Sequence, residues 1–257
     1  MGFETLVVTR EEAHAVITLN RPPANAISEA LVRELNAAVS GFESDESVRC
    51  LIITGSGDRI FCAGADLGNA FSGPDVASFI RFGNSVVRRI ERFPKPVVAA
   101  INGHALGGGC EIAMGCHIRI LKEGARMGQT ESNLGITPGF GGSQRMPRLI
   151  GRTKALEFLI LGTQVPAQEC VALGLANKLT KEGETLNEAK ALARLIAKRP
   201  PIATRLIIEA VDEGLEAPID KAIDIEVRAF LKTLKTEDAS EGIQAFFAKR
   251  EPSFKGK

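Results

Sequence analysis

The apolar pattern of this chain changes character near residue 141, and that break constrains the fold more than any other feature of the sequence. Before it, short apolar runs alternate with segments of helical periodicity, as in chains that build an α/β core. Beyond it almost everything reads as helix: 143–150, 152–162, 166–173, 185–198, 202–213, 218–235 and 239–249, with only Ala176 to Leu179 resembling a strand. In the first part, Leu6-Val7-Val8 and Ala15 to Leu19 flank a polar Arg10-Glu11-Glu12 turn and read as a hairpin. Ser28 is an N-cap for a helix whose Leu31, Leu35, Ala38 and Phe42 share one face. Cys50 to Thr54 and Val97 to Ile101 read as apolar strands, and residues 55–73 as loop. Pro74 opens a second helix with Val76, Ile80, Val87 and Ile90 inside, and His117 to Leu121 and a segment near Met127 are further strands. The expected organisation is a strand–helix core over 1–195 and a helical region over 196–257 that can act as an assembly surface.

Charge narrows the partners. The 257 residues carry 32 basic and 31 acidic side chains, a net charge of +1. A nucleic-acid or anionic-membrane partner needs a strong basic excess, so neither is expected. The chain has no Trp or Tyr on which bases would stack, and its apolar runs are too short to span a bilayer. Met1 leads into a strand-like segment with no basic-then-apolar leader, so the expectation is a cytoplasmic protein. Cys50, Cys62, Cys110, Cys116 and Cys170 are odd in number with no CxxC pair, which reads as free thiols in a reducing compartment. His14, His104 and His117 have no metal-ligand spacing, so no metal site is expected.

Three segments can carry chemistry. Gly107-Gly108-Gly109-Cys110-Glu111 follows a strand and opens a helix. The first amides of a helix lack intrahelical acceptors and can face a partly negative oxygen. Glu111, three residues after Gly108, can share a face with that N–H. A glycine turn chosen for tight packing explains the same segment equally well, whereas a P-loop or dinucleotide fingerprint does not fit. Phe61-Cys62-Ala63-Gly64-Ala65-Asp66 offers a second backbone donor, with a plain surface loop as the alternative. Gly128-Gln129-Thr130-Glu131 places a carboxylate before the turn-rich Gly135 to Gly142, with a solvated loop Glu as the alternative. No G-x-S-x-G elbow is present.

In this order, these segments resemble the enoyl-CoA hydratase/isomerase, or crotonase, family. The resemblance spans nearly the whole chain. It runs from Leu19-Asn20-Arg21-Pro22-Pro23-Ala24-Asn25-Ala26 through Phe61 to Leu67, Pro94 to Gly103, Ala105 to Glu111 and Pro138 to Arg145, to Lys249 to Phe254. It implies an α/β fold, a spiral of β-β-α units with a helical C-terminal trimerisation region, assembled as a homotrimer or a dimer of trimers. It implies an acyl-CoA thioester substrate whose carbonyl is held by the N–H groups of Ala65 and Gly108. Ala24, Ala26, Ala63, Asp66, Leu67 and Gly68 would line the CoA moiety, Gly139 would contact the reacting water, and Lys249 would approach CoA phosphates. No cofactor is implied, coenzyme A being part of the substrate.

Family hydratases use two glutamates, matched here by Glu111 and Glu131. The implied activity is therefore an enoyl-CoA hydratase converting a trans-2-enoyl-CoA to a 3-hydroxyacyl-CoA. The alternatives are an enoyl-CoA isomerase, a cyclic dienoyl-CoA hydratase, or a non-catalytic thioester- or RNA-binding relative. The chain departs from the family at Thr130, where Pro is common, at His117, where Asp is frequent, and at Gly68-Asn69, where a Lys-Glu pair is common.

Overall fold

Strands β1 (Leu6–Glu11) and β2 (His14–Leu19) form the expected antiparallel hairpin, Leu6 opposite Leu19. The computed structural model describes residues 2–66, 68 and 75–257. Helix α1 (Glu29–Gly41) starts where Ser28 predicts, the Ser28 hydroxyl accepting from the Leu31 N–H at 3.2 Å. Its Leu31, Leu35, Ala38 and C-terminal Phe42 are all buried.

From here the chain repeats one unit: a strand, a second short strand, then a helix. The units are β3 (Cys50–Gly55), β4 (Ile60–Cys62) and α2 (Val76–Glu91), then β5 (Val97–Ile101), β6 (His104–Leu106) and α3 (Gly108–Gly115). A third opens with β7 (Ile118–Lys122) and β8 (Arg126–Gly128), followed by a 3-10 helix, Glu131–Leu134, and α4 (Gly142–Ile150). The chain continues through α5 (Arg152–Leu161), β9 (Val165–Pro166), α6 (Ala167–Ala172), β10 (Lys178–Thr180) and α7 (Thr185–Ala197). It ends in α8 (Pro201–Gly214), α9 (Ile219–Thr233) and α10 (Glu237–Ala248).

The longer strands make a six-stranded sheet ordered β1-β2-β3-β5-β7-β10, parallel after the first pair. The short ones make a second sheet, β4-β6-β8-β9. β3 and β5 are buried at every position, as parallel strands covered on both faces must be. Alternate side chains serve different layers. Ile17, Leu51, Ile53, Ala99 and Ile101 face the main core shared with α1, α2 and α3. Val16, Ile52, Val98 and Ala100 meet Ala189 and Ala193 of α7 on the other face.

Three short strands escape the sequence reading. The 55–73 loop contains β4, and β6 and β9 were not expected at all. Strands of two or three residues are too short to establish a period. Pro74 lies outside the described residues, and α2 is capped by the Asp75 side chain accepting from the Ser78 N–H. Val87 and Ile90 are buried as expected, whereas Val76 and Ile80 are half-buried. The C-terminal helices leave large apolar side chains exposed, including Leu215, Ile219, Phe230, Phe246 and Phe247. Among the described residues no helix is long and apolar enough to cross a membrane.

Candidate active site

The loop after β4 and the start of α3 press together. Gly107 precedes α3 with φ +51, a conformation that strains other residues. A Cβ there would also lie 3.0 Å from Oε1 of Glu131. At Gly108 a Cβ would stand 2.6 Å from Cδ1 of Ile27, and at Gly109 it would overlap the Cys62 backbone. The three glycines are thus fixed by three different neighbours, and the first two border the site. On the facing loop, a Cβ on Gly64 would reach the Gly108 nitrogen at 3.4 Å.

Ala65 forms an isolated parallel bridge with Ile27. The Ile27 N–H donates to Gly64 O at 2.8 Å and the Asp66 N–H donates to Ile27 O at 2.9 Å. That register uses the groups on either side of Ala65 and turns its own N–H away from Ile27. Among the described residues, no backbone or side-chain acceptor takes the N–H of Ala65 or of Gly108. The two loops therefore bring two amides of the kind the sequence suggested to one place.

Glu111 sits in the first turn of α3, 1% exposed. Its Oε1 accepts from the N–H of Phe140 at 2.8 Å and of Gly142 at 2.6 Å. Burial pushes its carboxyl up to about 7 and the charge of Glu131 pushes the same way, against the Gly142 and Phe140 amides and Arg145. Glu131 is half-buried at the start of the 3-10 helix, not solvated in an open loop. Burial raises its carboxyl above the ordinary range, opposed by the Glu131 and Thr130 N–H groups. With the Gln129 amide oriented by its hydrogen bonds, the NH₂ donates to both Glu131 oxygens at 3.1 Å. The two acids thus converge on Gly107 and Gly108, Oε2 of Glu111 lying 3.9 Å from a Cβ position on Gly108.

The loops expected to line a larger ligand also come together. The Ala63 N–H donates to Ala24 O at 3.0 Å, and Nη1 of Arg21 donates to Ala26 O at 3.0 Å. Nη2 of the same guanidinium pairs with Asp66 at 2.6 Å. Gly68 is exposed beside Asp66, and Leu67 lies outside the described residues. Gly139 packs against Ile80 of α2, and Lys249 stands exposed at the end of α10. Buried Asn25, at φ +49, holds the Ala24–Ala26 turn in place. Its Nδ2 donates to the carbonyls of Ser56, Ile60 and Phe61, and its Oδ1 accepts from the Arg21 N–H and the Ser56 hydroxyl. The sequence showed an Asn in a turn but not what it would bind; the same holds for Gln129 and Arg145. All five cysteines are free and buried, and burial pushes the Cys62 thiol up to about 12. His117 bridges β5 and α2, its Nδ1 accepting from the Val97 N–H and its Nε2 donating to Glu91 O.

The model of the enoyl-CoA hydratase/isomerase family matches residues 9–257. The chain belongs to that family. It is 43% identical over 257 residues to a crotonyl-CoA hydratase of Syntrophomonas wolfei, covering 99% of each chain. It is 41% identical over 256 residues to a short-chain-enoyl-CoA hydratase of Clostridium acetobutylicum, covering 97% of each. Its fold superposes on the crystal structure of an enoyl-CoA hydratase from Bacillus anthracis with a TM-score of 0.95 at 37% identity, covering 99% of this chain and all of that one. The β-β-α spiral with its helical C-terminal region is therefore the crotonase fold.

Proposed function

We propose that this chain catalyses reversible addition of water to a trans-2-enoyl-CoA, giving a 3-hydroxyacyl-CoA. The observation that carries this reading is the convergence of two carboxyls, both raised by burial, on the glycines beside two amides without acceptors among the described residues. The thioester oxygen accepts from the N–H of Ala65 and Gly108. Attack of water at C3 moves charge onto that oxygen, so the donors stabilise the transition state more than the ground state. Loss of one such donor typically lowers the rate by about 10²–10³.

Water lies between the acids. Glu111 takes a proton from it as its oxygen bonds to C3, and Glu131 gives its own proton to C2. Each turn leaves the pair's single proton on Glu111, and exchange with solvent resets it. Two close carboxyls in a dry cleft do not both ionise readily, which supports one shared proton near neutral pH. Positioned acid–base groups contribute roughly 10²–10⁴-fold.

Ala24, Ala26, Ala63, Asp66, Leu67 and Gly68 line the CoA moiety, Gly139 meets the reacting water, and Lys249 approaches the phosphates. Coenzyme A arrives as part of the substrate, and no resident cofactor or metal takes part. The protein acts in the cytoplasm without a nucleic-acid or membrane partner. Residues 1–195 form the core, and 196–257 assemble it as a homotrimer or a dimer of trimers. The exposed apolar side chains of α8 to α10 support that assembly, and light scattering on the purified chain measures it.

The test is product analysis. Crotonyl-CoA is expected to lose its enoyl absorbance and yield 3-hydroxybutyryl-CoA, while 3-hexenoyl-CoA turns over far more slowly. Rapid isomerisation of 3-hexenoyl-CoA with no hydration of crotonyl-CoA would make the chain an isomerase instead.

A further inference from the structure

Among the described residues the Glu111 carboxylate forms no ion pair, and it meets α4 only at its first N–H, that of Gly142. It is held by a short backbone cradle, and what holds the cradle lies outside the reacting residues. Gly141, at φ +96, reverses the chain so that the N–H groups of Phe140 and Gly142 both point at Oε1 of Glu111. Amides alternating around a left-handed residue form an anion-binding nest. Such a nest is fixed only if its carbonyls, which point outwards, are fixed too.

Each of those three carbonyls has its own donor. Nδ2 of Asn84 donates to Gly139 O. Nη1 of Arg145 donates to Phe140 O at 2.8 Å. The backbone N–H groups of Gln144 and Arg145 donate to Gly141 O at 3.0 and 2.9 Å. Arg145 therefore binds the nest twice, and its guanidinium fills the space where a side chain on Gly141 would stand. The guanidinium is itself anchored, with Nη2 paired to Glu91 at 2.9 Å and a side chain 11% exposed. Glu91 also pairs with Arg88 at 2.8 Å, which ties the anchor to α2.

We propose that Arg145, anchored by Glu91, is a positioning residue that holds the Phe140–Gly142 nest on Glu111 and supplies the cationic field in which that acid works. This rests on the hydratase reading for its kinetic consequences but not for its electrostatic ones. The charged groups facing Glu111 are Glu131 from the 3-10 helix and Arg145 from α4, of opposite sign. Removing the cation leaves Glu131 unopposed and makes Glu111 harder to ionise. Removing Glu91 leaves the cation uncompensated and makes Glu111 easier to ionise. The two substitutions thus act in opposite directions, which a merely loosened loop does not produce.

The experiment measures kcat/KM for crotonyl-CoA against pH in wild type, Arg145→Met, Arg145→Lys and Glu91→Gln. The acid limb is expected to move up by about 0.5–1 unit in Arg145→Met and down by a smaller amount in Glu91→Gln. Arg145→Lys keeps the charge but cannot form both bonds, so its limb stays near wild type while kcat falls by roughly tenfold. In parallel, infrared titration follows the buried carboxyl directly, its band assigned by its loss in Glu111→Gln. If Arg145→Met fails to fold, the downward shift in Glu91→Gln still decides. Unmoved limbs and unmoved carboxyl bands, or shifts of one sign in both charge-removing variants, would overturn the proposal. An inactive wild type whose carboxyl band nonetheless shifts as described would overturn the hydratase reading and leave Arg145 in its role.

Discussion

At the scale of single residues, the site keeps an acid where folding alone would not place one. Glu111 is buried, and two backbone amides together with the charge of Arg145 offset only part of its loss of water. Its carboxyl titrates at about 7 in the fold against 4.5 when solvated. Between those values the folded chain binds more protons than the unfolded one, so this group makes stability fall as pH rises. The penalty is absent below 4.5 and complete above about 7, and a shift of that size corresponds to about 3 kcal/mol. Glu111→Gln removes it while keeping an oxygen for the two amides. Urea denaturation should find the variant more stable than wild type at pH 8, by up to about 3 kcal/mol, with the gap closing towards pH 4. A gap independent of pH would show that Glu111 ionises in the fold as it does in water.

Between elements, α2 and the loop into α4 are in direct contact through Gly83. That glycine is buried in α2, and the Phe140 ring lies where its Cβ would be. Phe79 meets the same ring edge-on, with centroids 5.7 Å apart. Gly83→Ala gains up to about 1 kcal/mol of helix propensity but overpacks this contact by roughly 1–3 kcal/mol. Displacing Phe140 moves a donor of Glu111, so kcat should fall about 10–100-fold with less change in KM. Unchanged kcat would show that the nest does not depend on α2. Gly83 also shows where the sequence stops being legible. Ser28, the β3 and β5 runs and the helices after residue 141 were readable because capping and periodicity are local properties. The Gly107–Gly109 run pointed to a helix start with open amides, but its reason lies in Ile27, Cys62 and Glu131, distant in sequence. The β4, β6 and β9 strands were invisible because short strands are fixed by their partners. Asn25, Gln129 and Arg145 were visible as residues, while their work depends on carbonyls and carboxylates that only folding brings near.

Over the whole molecule, each of three turns of the spiral carries part of the candidate site. The turn through β3 and β4 supplies Ala65, that through β5 and β6 supplies Gly108 and Glu111, and that through β7 and β8 supplies Glu131. No one segment holds all four groups, so the proposed chemistry requires the three turns together. The most direct test is the turnover of crotonyl-CoA by Glu111→Gln and Glu131→Gln, each compared with wild type for binding of a non-reactive acyl-CoA thioester. Each substitution is expected to lower kcat by roughly 10²–10⁴-fold while thioester binding survives. Wild-type kcat in both variants would contradict the account, because the two carboxyls that the fold brings together would then take no part in the reaction.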